Sequence, residues 1–266
     1  MDFSPQRIVC LTAETVDTLY RLGQQDRIVG ITGFATNPPQ ARREKPRIAA
    51  YTNAKIDRIL ALKPDLVLLY SDLQAELAQQ LIRQGCAVYV FNQRSIQGIL
   101  QMIDTLGRLT DSQARAQQLI QELCTGLIPA APARPRPKVY FEEWMEPLIC
   151  GIHWVSELIE LAGGDDTFAQ QSRGQSATER IISDPQQVVE AQPDIIIGSW
   201  CGRRFRPEQL RQRPGWQPIP AVQQDHIYEI KSALLLQPGP TALSTGFQQL
   251  CELIQAWQAT RLQPAH

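Results

Sequence analysis

Residues 57 to 70 read DRILALKPDLVLLY, and residues 186 to 200 read QQVVEAQPDIIIGSW. Each stretch opens with a short helical pattern and turns at a Pro-Asp pair, Pro64-Asp65 in one and Pro193-Asp194 in the other. Each then enters a branched apolar run of the kind that buried strands show. The run LVLLY lacks the apolar-polar alternation of a half-exposed strand, which predicts burial on both faces of a parallel sheet. Two such units lying about half a chain apart predict a duplicated architecture.

Working outward, the flanks repeat as well. Arg7–Thr12 and Lys138–Phe141 are short strand patterns, each opening a half. Loops follow them, Thr12-Ala13-Glu14 in the first half and EEWMEPLICGIHW from Glu142 in the second. Helical patterns come next, VDTLYRLG ending at Gly23 and VSELIELAGG ending at Gly163 and Gly164, with glycine in the place where helices commonly stop. Later strands are CAVYVF from Cys86 and HIYEI from His226. The stretch FATNPPQARREKPR, with Pro38 and Pro39, reads as an irregular surface loop, and Asn53 reads as the cap of a helix Ala54–Leu62. Between the halves, DSQARAQQLIQELCTGL (Asp111 to Leu127) reads as one amphipathic helix about 25 Å long, capped by Asp111. PAAPARPRP, residues 129 to 137, is a stiff spacer. The expected fold class is α/β, with two Rossmann-like lobes built on central parallel sheets and joined by a single long α-helix. Expected domain limits are 1–110 for the N-terminal lobe, 111–137 for the connecting helix and linker, and 138–266 for the C-terminal lobe.

Composition restricts function. The 26 basic and 27 acidic residues leave a net charge of −1, which gives no broad field for nucleic acid or anionic membrane. No stretch approaches the roughly 18 apolar residues that span a bilayer. Six cysteines, at 10, 86, 124, 150, 201 and 251, form no CxxC pair and stand near no histidine cluster, so a zinc or redox site is not indicated. Scattered thiols and the lack of a signal-peptide pattern in MDFSPQRIVCL predict a cytoplasmic location; the alternative is the mature form of an exported protein. There is no GxSxG, P-loop or HExxH, and Glu142, Glu143 and Glu146 form an acidic cluster that general acid–base work would use, though an unpaired loop carboxylate is usually solvated.

In parallel α/β sheets ligands gather beyond the carboxyl ends of the strands. Those ends supply Thr12, Ala13, Glu14, Phe34, Tyr51 and Tyr70 in the first half, and Trp144, His153, Trp154, Trp200 and Arg203 in the second. Aromatic faces there suit a large, flat, partly apolar ligand. Each has a plainer reading too. Tyr70 and Trp200 would equally cap the sheet, Trp216 would pin a surface loop, and Arg203, Arg204 and Arg206 would form a solvated edge. His153 is either an ordinary helix-start histidine or, as a neutral imidazole, a ligand to a metal centre carried by the bound molecule.

Together RIVCLTAETVDTLYRLG, KIDRILALKPDLVLLY, AQPDIII, PGWQPIPAV, HIYEI and QPGP resemble the class III periplasmic binding proteins, specifically the vitamin B12 and iron-siderophore group. The stretch FEEWMEPLICGIHWVSELIELAGG, residues 141 to 164, resembles a cobalamin-binding branch of that group. The resemblance implies the class III fold, with a ligand held between the lobes and little hinge motion. It implies cobalamin or a related corrinoid as ligand, no intrinsic cofactor, no enzymatic activity, a monomer, and delivery to the membrane subunits of an ABC importer. Aromatic residues flanking the corrin fall at Phe34, Tyr51 and Tyr70, the last in place of a tryptophan. The two transporter-docking positions fall at Asp57 and Gln186; the second is uncharged, with Asp184 two residues away. Alternatives are a haem or ferric-siderophore binder, and a cytoplasmic tetrapyrrole-handling, chelatase-like enzyme using Glu142, Glu143 and His153.

Overall fold

The structure, a computed structural model, describes residues 4–49, 55–130 and 136–262. Two compact units divide the chain: Met1–Gln93, Gln97–Thr125 and Gln237–Thr241 in unit 1, and Arg94–Ile96, Gly126–Leu236 and Ala242–His266 in unit 2.

Unit 1 is built from β1 (Ile8–Cys10), α1 (Ala13–Arg21), β2 (Ile28–Thr32), α2 (Ala41–Glu44), β3 (Arg47–Ala49), α3 (Ile56–Ala61), β4 (Leu66–Tyr70), α4 (Ala75–Arg83), β5 (Val88–Phe91), α5 (Ile96–Leu109) and α6 (Gln113–Gly126). Its sheet is parallel throughout, in the order β3-β2-β1-β4-β5. Every residue of β4 is buried, as the unbroken LVLLY run predicts. Val9, Leu11, Val67 and Leu69 pack with Ile59, Ala78 and Leu81 of α3 and α4 on one side of this sheet.

Three local expectations change. Helix α1 starts at Ala13, so Ala13 and Glu14 belong to its first turn and not to a loop; Thr12, extended at φ −133°, is the residue before it. The stretch after Pro39 regains its N–H donors and forms α2 and β3, the latter pairing with β2 at Ile31 and Thr32. Asp111 sits at φ +52° in the turn between α5 and α6, and α6 begins two residues later. Asn53, the expected cap of α3, lies outside the described residues.

Unit 2 contains β6 (Lys138–Met145), β7 (Leu148–Cys150), α7 (His153–Leu161), β8 (Asp165–Asp166), α8 (Gln186–Ala191), β9 (Ile195–Gly198), α9 (Pro207–Arg211), α10 (Pro220–Gln223), β10 (Ile227–Glu229), α11 (Ser232–Leu235) and α12 (Phe247–Leu262). Parallel strands run β10-β9-β6, and β7 folds back antiparallel on β6. The stretch expected as a loop after Phe141 is therefore a hairpin, with Glu142, Glu143 and Trp144 as strand residues. Trp216, expected on a surface loop, is 1% exposed and belongs to a core with Tyr140, Ile196, Phe205 and Leu210.

Both Pro-Asp turns do the same work. Asp65 accepts the backbone N–H of Gln6 and Arg7 (2.7 and 2.9 Å), and Asp194 accepts that of Lys138 (2.9 Å). In return the Asp65 and Asp194 N–H groups donate to the Arg7 and Lys138 carbonyls. Each carboxylate thus registers the incoming strand against the first strand of its unit.

Candidate functional site

In unit 1 the chain moves outward from β1 through β2 to β3, then returns to the other side of β1 as β4 and continues to β5. The switch point lies between β1 and β4, where open α/β sheets bind ligands. Gln74 bridges the two strand ends there. Its Oε1 accepts the Tyr70 N–H at 2.8 Å, and its Nε2 donates to the Leu11 carbonyl at 3.2 Å. The Tyr70 hydroxyl donates to the Gln93 carbonyl at 3.0 Å, and Gln93 Nε2 donates to the Pro238 carbonyl at 3.0 Å. Ser71 holds φ +60°, a conformation non-glycine residues adopt at a cost of about 1–3 kcal/mol, and its Oγ accepts the Leu73 N–H.

Residues 237–241 lie against these ends as a strap. Gln237 Nε2 donates to the Phe34 carbonyl at 3.3 Å, and Thr241 donates from N and Oγ1 to Asp17 Oδ2 at 3.0 and 2.7 Å. Asp17 is also paired with Arg21 at 2.9 Å. Gly239 packs so closely that an added Cβ would stand 2.8 Å from Glu14 Cβ. Thr12, Ala13, Glu14 and Tyr70, placed at the strand ends by the sequence, are all buried, Tyr70 as the plainer reading of it has it. Thr12 Oγ1 meets Thr15 Oγ1 at 2.9 Å. Glu14 Oε1 is buried without a hydrogen-bond partner among the described residues. Burial pushes its carboxyl up to about 7, only partly offset by its own backbone N–H and the Thr12 hydroxyl. Of the expected ligand residues in this unit, Phe34 is the one with its ring open to solvent, at 48% exposure. Tyr51 lies outside the described residues.

In unit 2, β6 and β9 run in parallel with Glu142 opposite Gly198, which brings their carboxyl ends together. Glu142 is fully buried and accepts four bonds: two from Arg213 (2.5 and 2.8 Å), one from Trp200 Nε1 (2.9 Å) and one from the Tyr140 hydroxyl (3.1 Å). Burial, with the Glu142 charge beside it, holds the Tyr140 hydroxyl well above its ordinary range, so it remains a donor. Glu143 takes a two-pronged pair from Arg180 at 2.5 and 3.1 Å, and Arg180 also donates to the Cys150 carbonyl. Both carboxylates are thus engaged by structural partners, Glu142 by Arg213, Trp200 and Tyr140, and Glu143 by Arg180.

Trp200 packs edge-on against Phe205 inside the core, and Trp154 is 2% exposed with Nε1 on the Leu235 carbonyl at 2.9 Å. Both burials have one cause. A tryptophan after a strand end turns inward when its N–H finds a buried acceptor. Trp144 remains half-buried, and the exposed Arg203 places its guanidinium 5.3 Å from the ring centre. His153 opens α7 with Nε2 3.7 Å from Glu157 Oε1, and its Nδ1 has no partner among the described residues. No group of three or more His, Cys, Asp or Glu side chains there could hold a metal ion. The residues expected at the docking positions are exposed: Asp57 in the first turn of α3, and Gln186 at the start of α8 with its N–H on Asp184 Oδ1 at 2.9 Å.

Sequence reasoning missed Gln74, Gln93, Arg180 and Arg213; it placed Leu235–Pro240 among the strand-end loops of the second half, whereas Gln237–Thr241 pack with unit 1. Only the Asp17–Arg21 pair carries a local signal, its four-residue helical spacing.

Among proteins of known identity, the chain is 26% identical to the vitamin B12-binding protein of Vibrio cholerae over 96% of its own length and 91% of that protein's. It is 23% identical to an ABC transporter substrate-binding lipoprotein of Bacillus subtilis, over 93% and 80%. The solved periplasmic haem-binding protein of Roseiflexus sp. RS-1 superimposes with a TM-score of 0.78 at 22% identity, covering 96% of this chain and 98% of that one. Periplasmic proteins and a lipoprotein in this company overturn the cytoplasmic expectation. The thiols did not decide the compartment, because Cys10 and Cys150 are buried and burial pushes both up to about 12, making them inert small hydrophobes. No helix of the described residues is long and apolar enough to cross a membrane. The model of the family described as "Periplasmic binding protein" matches residues 8–234, and the chain belongs to that family of substrate-binding proteins.

Proposed function

We propose that this protein binds a corrinoid of the cobalamin type and presents it to the membrane subunits of an ABC importer. The observation that carries the choice of ligand is the chemistry of the strand-end loops in unit 1. Phe34 stands half-exposed beyond β2, and segments 33–37 and 70–72 contain no lysine or arginine. A corrin ring rimmed with neutral amides needs an apolar face and hydrogen-bonding groups. Haem propionates and ferric catecholate siderophores carry negative charge, which guanidinium groups recognise. The vitamin B12-binding relative in Vibrio cholerae supports the same choice. Phe34, Trp144 and Arg203 are the contact residues in this reading, and His153 is the candidate axial ligand to cobalt. Asp57 and Asp184, both exposed, are the acidic residues available at the two docking positions.

A second ligand is favoured by one observation. Arg203, stacked on Trp144, is a cation placed to meet a propionate, as a haem ligand requires. Titrating purified protein with cyanocobalamin and, separately, with haemin while following tryptophan fluorescence tests both. Saturable quenching by cyanocobalamin, weakened at least tenfold by Phe34→Ala, is expected. No saturable change up to high micromolar cyanocobalamin, with saturation by haemin, reverses the assignment. A cobalt spectrum identical in wild type and His153→Ala removes the axial role of His153.

A further inference from the structure

We propose that residues 237–241 form a proton-sensitive latch over the switch point of unit 1, with Glu14 as the group that senses the proton. The inference goes beyond ligand binding and holds for any ligand.

The geometry comes first. Glu14 stands in the first turn of α1, at the carboxyl end of the central strand β1, and is 4% exposed. Its cover is Gly239, whose missing side chain is what permits the contact with Glu14 Cβ, Cα and carbonyl oxygen. Among the described residues Oε1 finds no donor under that cover. The strap is pinned on both sides of this point by neutral or already paired groups: Gln93 on the Pro238 carbonyl, and Asp17 on Thr241. A protonated carboxyl sits under the strap at modest cost. An ionised carboxyl with a bare oxygen in the same place does not, because a buried unpaired charge is among the most expensive features a fold can hold.

The surroundings leave Glu14 as the variable element. The strap carries no titratable side chain, and in the Gln74–Gln93 bridge the one such group is the buried Tyr70 hydroxyl, which donates to the Gln93 carbonyl. On β1 the neighbouring group is Cys10, a buried thiol pushed up to about 12 and so uncharged. On α1 the charged groups are Asp17 and Arg21, joined to each other and to Thr241. Lys45 acts on Cys10, and no charged group contributes to the raised value of Glu14, which comes from burial.

The sign follows from linkage. Glu14 is held at about 7 when covered, against 4.5 when solvated. The closed strap therefore binds the proton more tightly than the open one, and raising the pH through this interval favours opening. With those two values the ratio of open to closed strap rises about tenfold between pH 6 and pH 8.5.

Amide hydrogen exchange at Gly239 and Thr241, corrected for intrinsic rates, reads that ratio on the full chain. The wild type is expected to show the tenfold rise in opening, and Glu14→Gln, neutral at both pH values, a flat response. Gly239→Ala, whose Cβ presses on Glu14, is expected to raise opening at both pH values while keeping the slope. An equal pH slope in Glu14→Gln and wild type, or a flat wild type, overturns the latch. Neither outcome depends on cyanocobalamin, so the ligand assignment stands or falls separately.

Discussion

The two Pro-Asp segments begin alike and end differently. Asp65 and Asp194 make the same exchange of bonds with the strand beside them. Four residues later unit 1 has Leu69 and unit 2 has Gly198, and from there the units part. In unit 1 the strand end is closed by uncharged groups, with Gln74, the Tyr70 hydroxyl and Gln93 passing bonds from one loop to the next. In unit 2 it is closed by charge, with Glu142 on Arg213 and Glu143 on Arg180. A duplicated start preserves the scaffold, and a divergent end gives each unit its own strand-end surface. Unit 1 offers an aromatic ring and a strap; unit 2 offers a braced hairpin with Trp144 and Arg203 at its rim.

The largest expected effect breaks the charged closure. Glu142→Ala leaves Arg213, Trp200 Nε1 and the Tyr140 hydroxyl without their common acceptor in the core. Removing one partner of a buried pair costs about 3–5 kcal/mol. Guanidinium unfolding followed by tryptophan emission reports on unit 2, where Trp144, Trp154, Trp200 and Trp216 reside. A loss below about 1 kcal/mol would show that the hairpin does not depend on this pair.

A smaller break tests the residue at which the units diverge. A Cβ at Gly198 would lie 1.8 Å from the Phe205 ring, so the chain after β9 folds back on the strand only because no side chain stands there. Gly198→Ala is expected to cost about 1–3 kcal/mol by overpacking. The double change Gly198→Ala with Phe205→Leu should recover part of that loss, by chemical denaturation. Failure of the second change to recover any of it would locate the strain elsewhere.

What was legible in the sequence follows from where each signal resides. The Pro-Asp turns and the unbroken LVLLY and DIII runs are local, and they correctly announced two α/β lobes with parallel sheets. Glu142 to Met145 read as loop because a charged pair within a strand pattern looks solvated. Its partners Arg180 and Arg213 lie 37 and 71 residues further on, and no spacing rule links them. Trp154 and Trp200 were placed at the ligand because an aromatic after a strand end reads the same whether it faces in or out. Their N–H acceptors, Leu235 and Glu142, decide the question and are visible only in three dimensions. The QPGP segment announced a turn without announcing that it returns to cover Glu14. Phe34 was legible only as an aromatic beyond a strand end; its 48% exposure there is seen in three dimensions.

The smallest expected effect addresses the half of the comparison that is shared. Asp65 accepts two backbone N–H groups, from Gln6 and Arg7, and Asp194 accepts one, from Lys138. Asp65 stands exposed and Asp194 half-buried, so screening reduces the worth of each charged bond, by more at Asp65. Count and exposure therefore pull in opposite directions. Substitution by alanine should cost about 1 kcal/mol at Asp194, and at Asp65 a similar amount, because the second bond offsets the stronger screening. Salt separates the two contributions. Raising ionic strength should shrink the Asp65→Ala penalty and leave that of Asp194→Ala largely unchanged, as read from denaturation midpoints at low and high salt. Equal salt sensitivity at both sites would mean that the two turns are alike in environment as well as in bonding, and that the units begin to diverge only at Leu69 and Gly198.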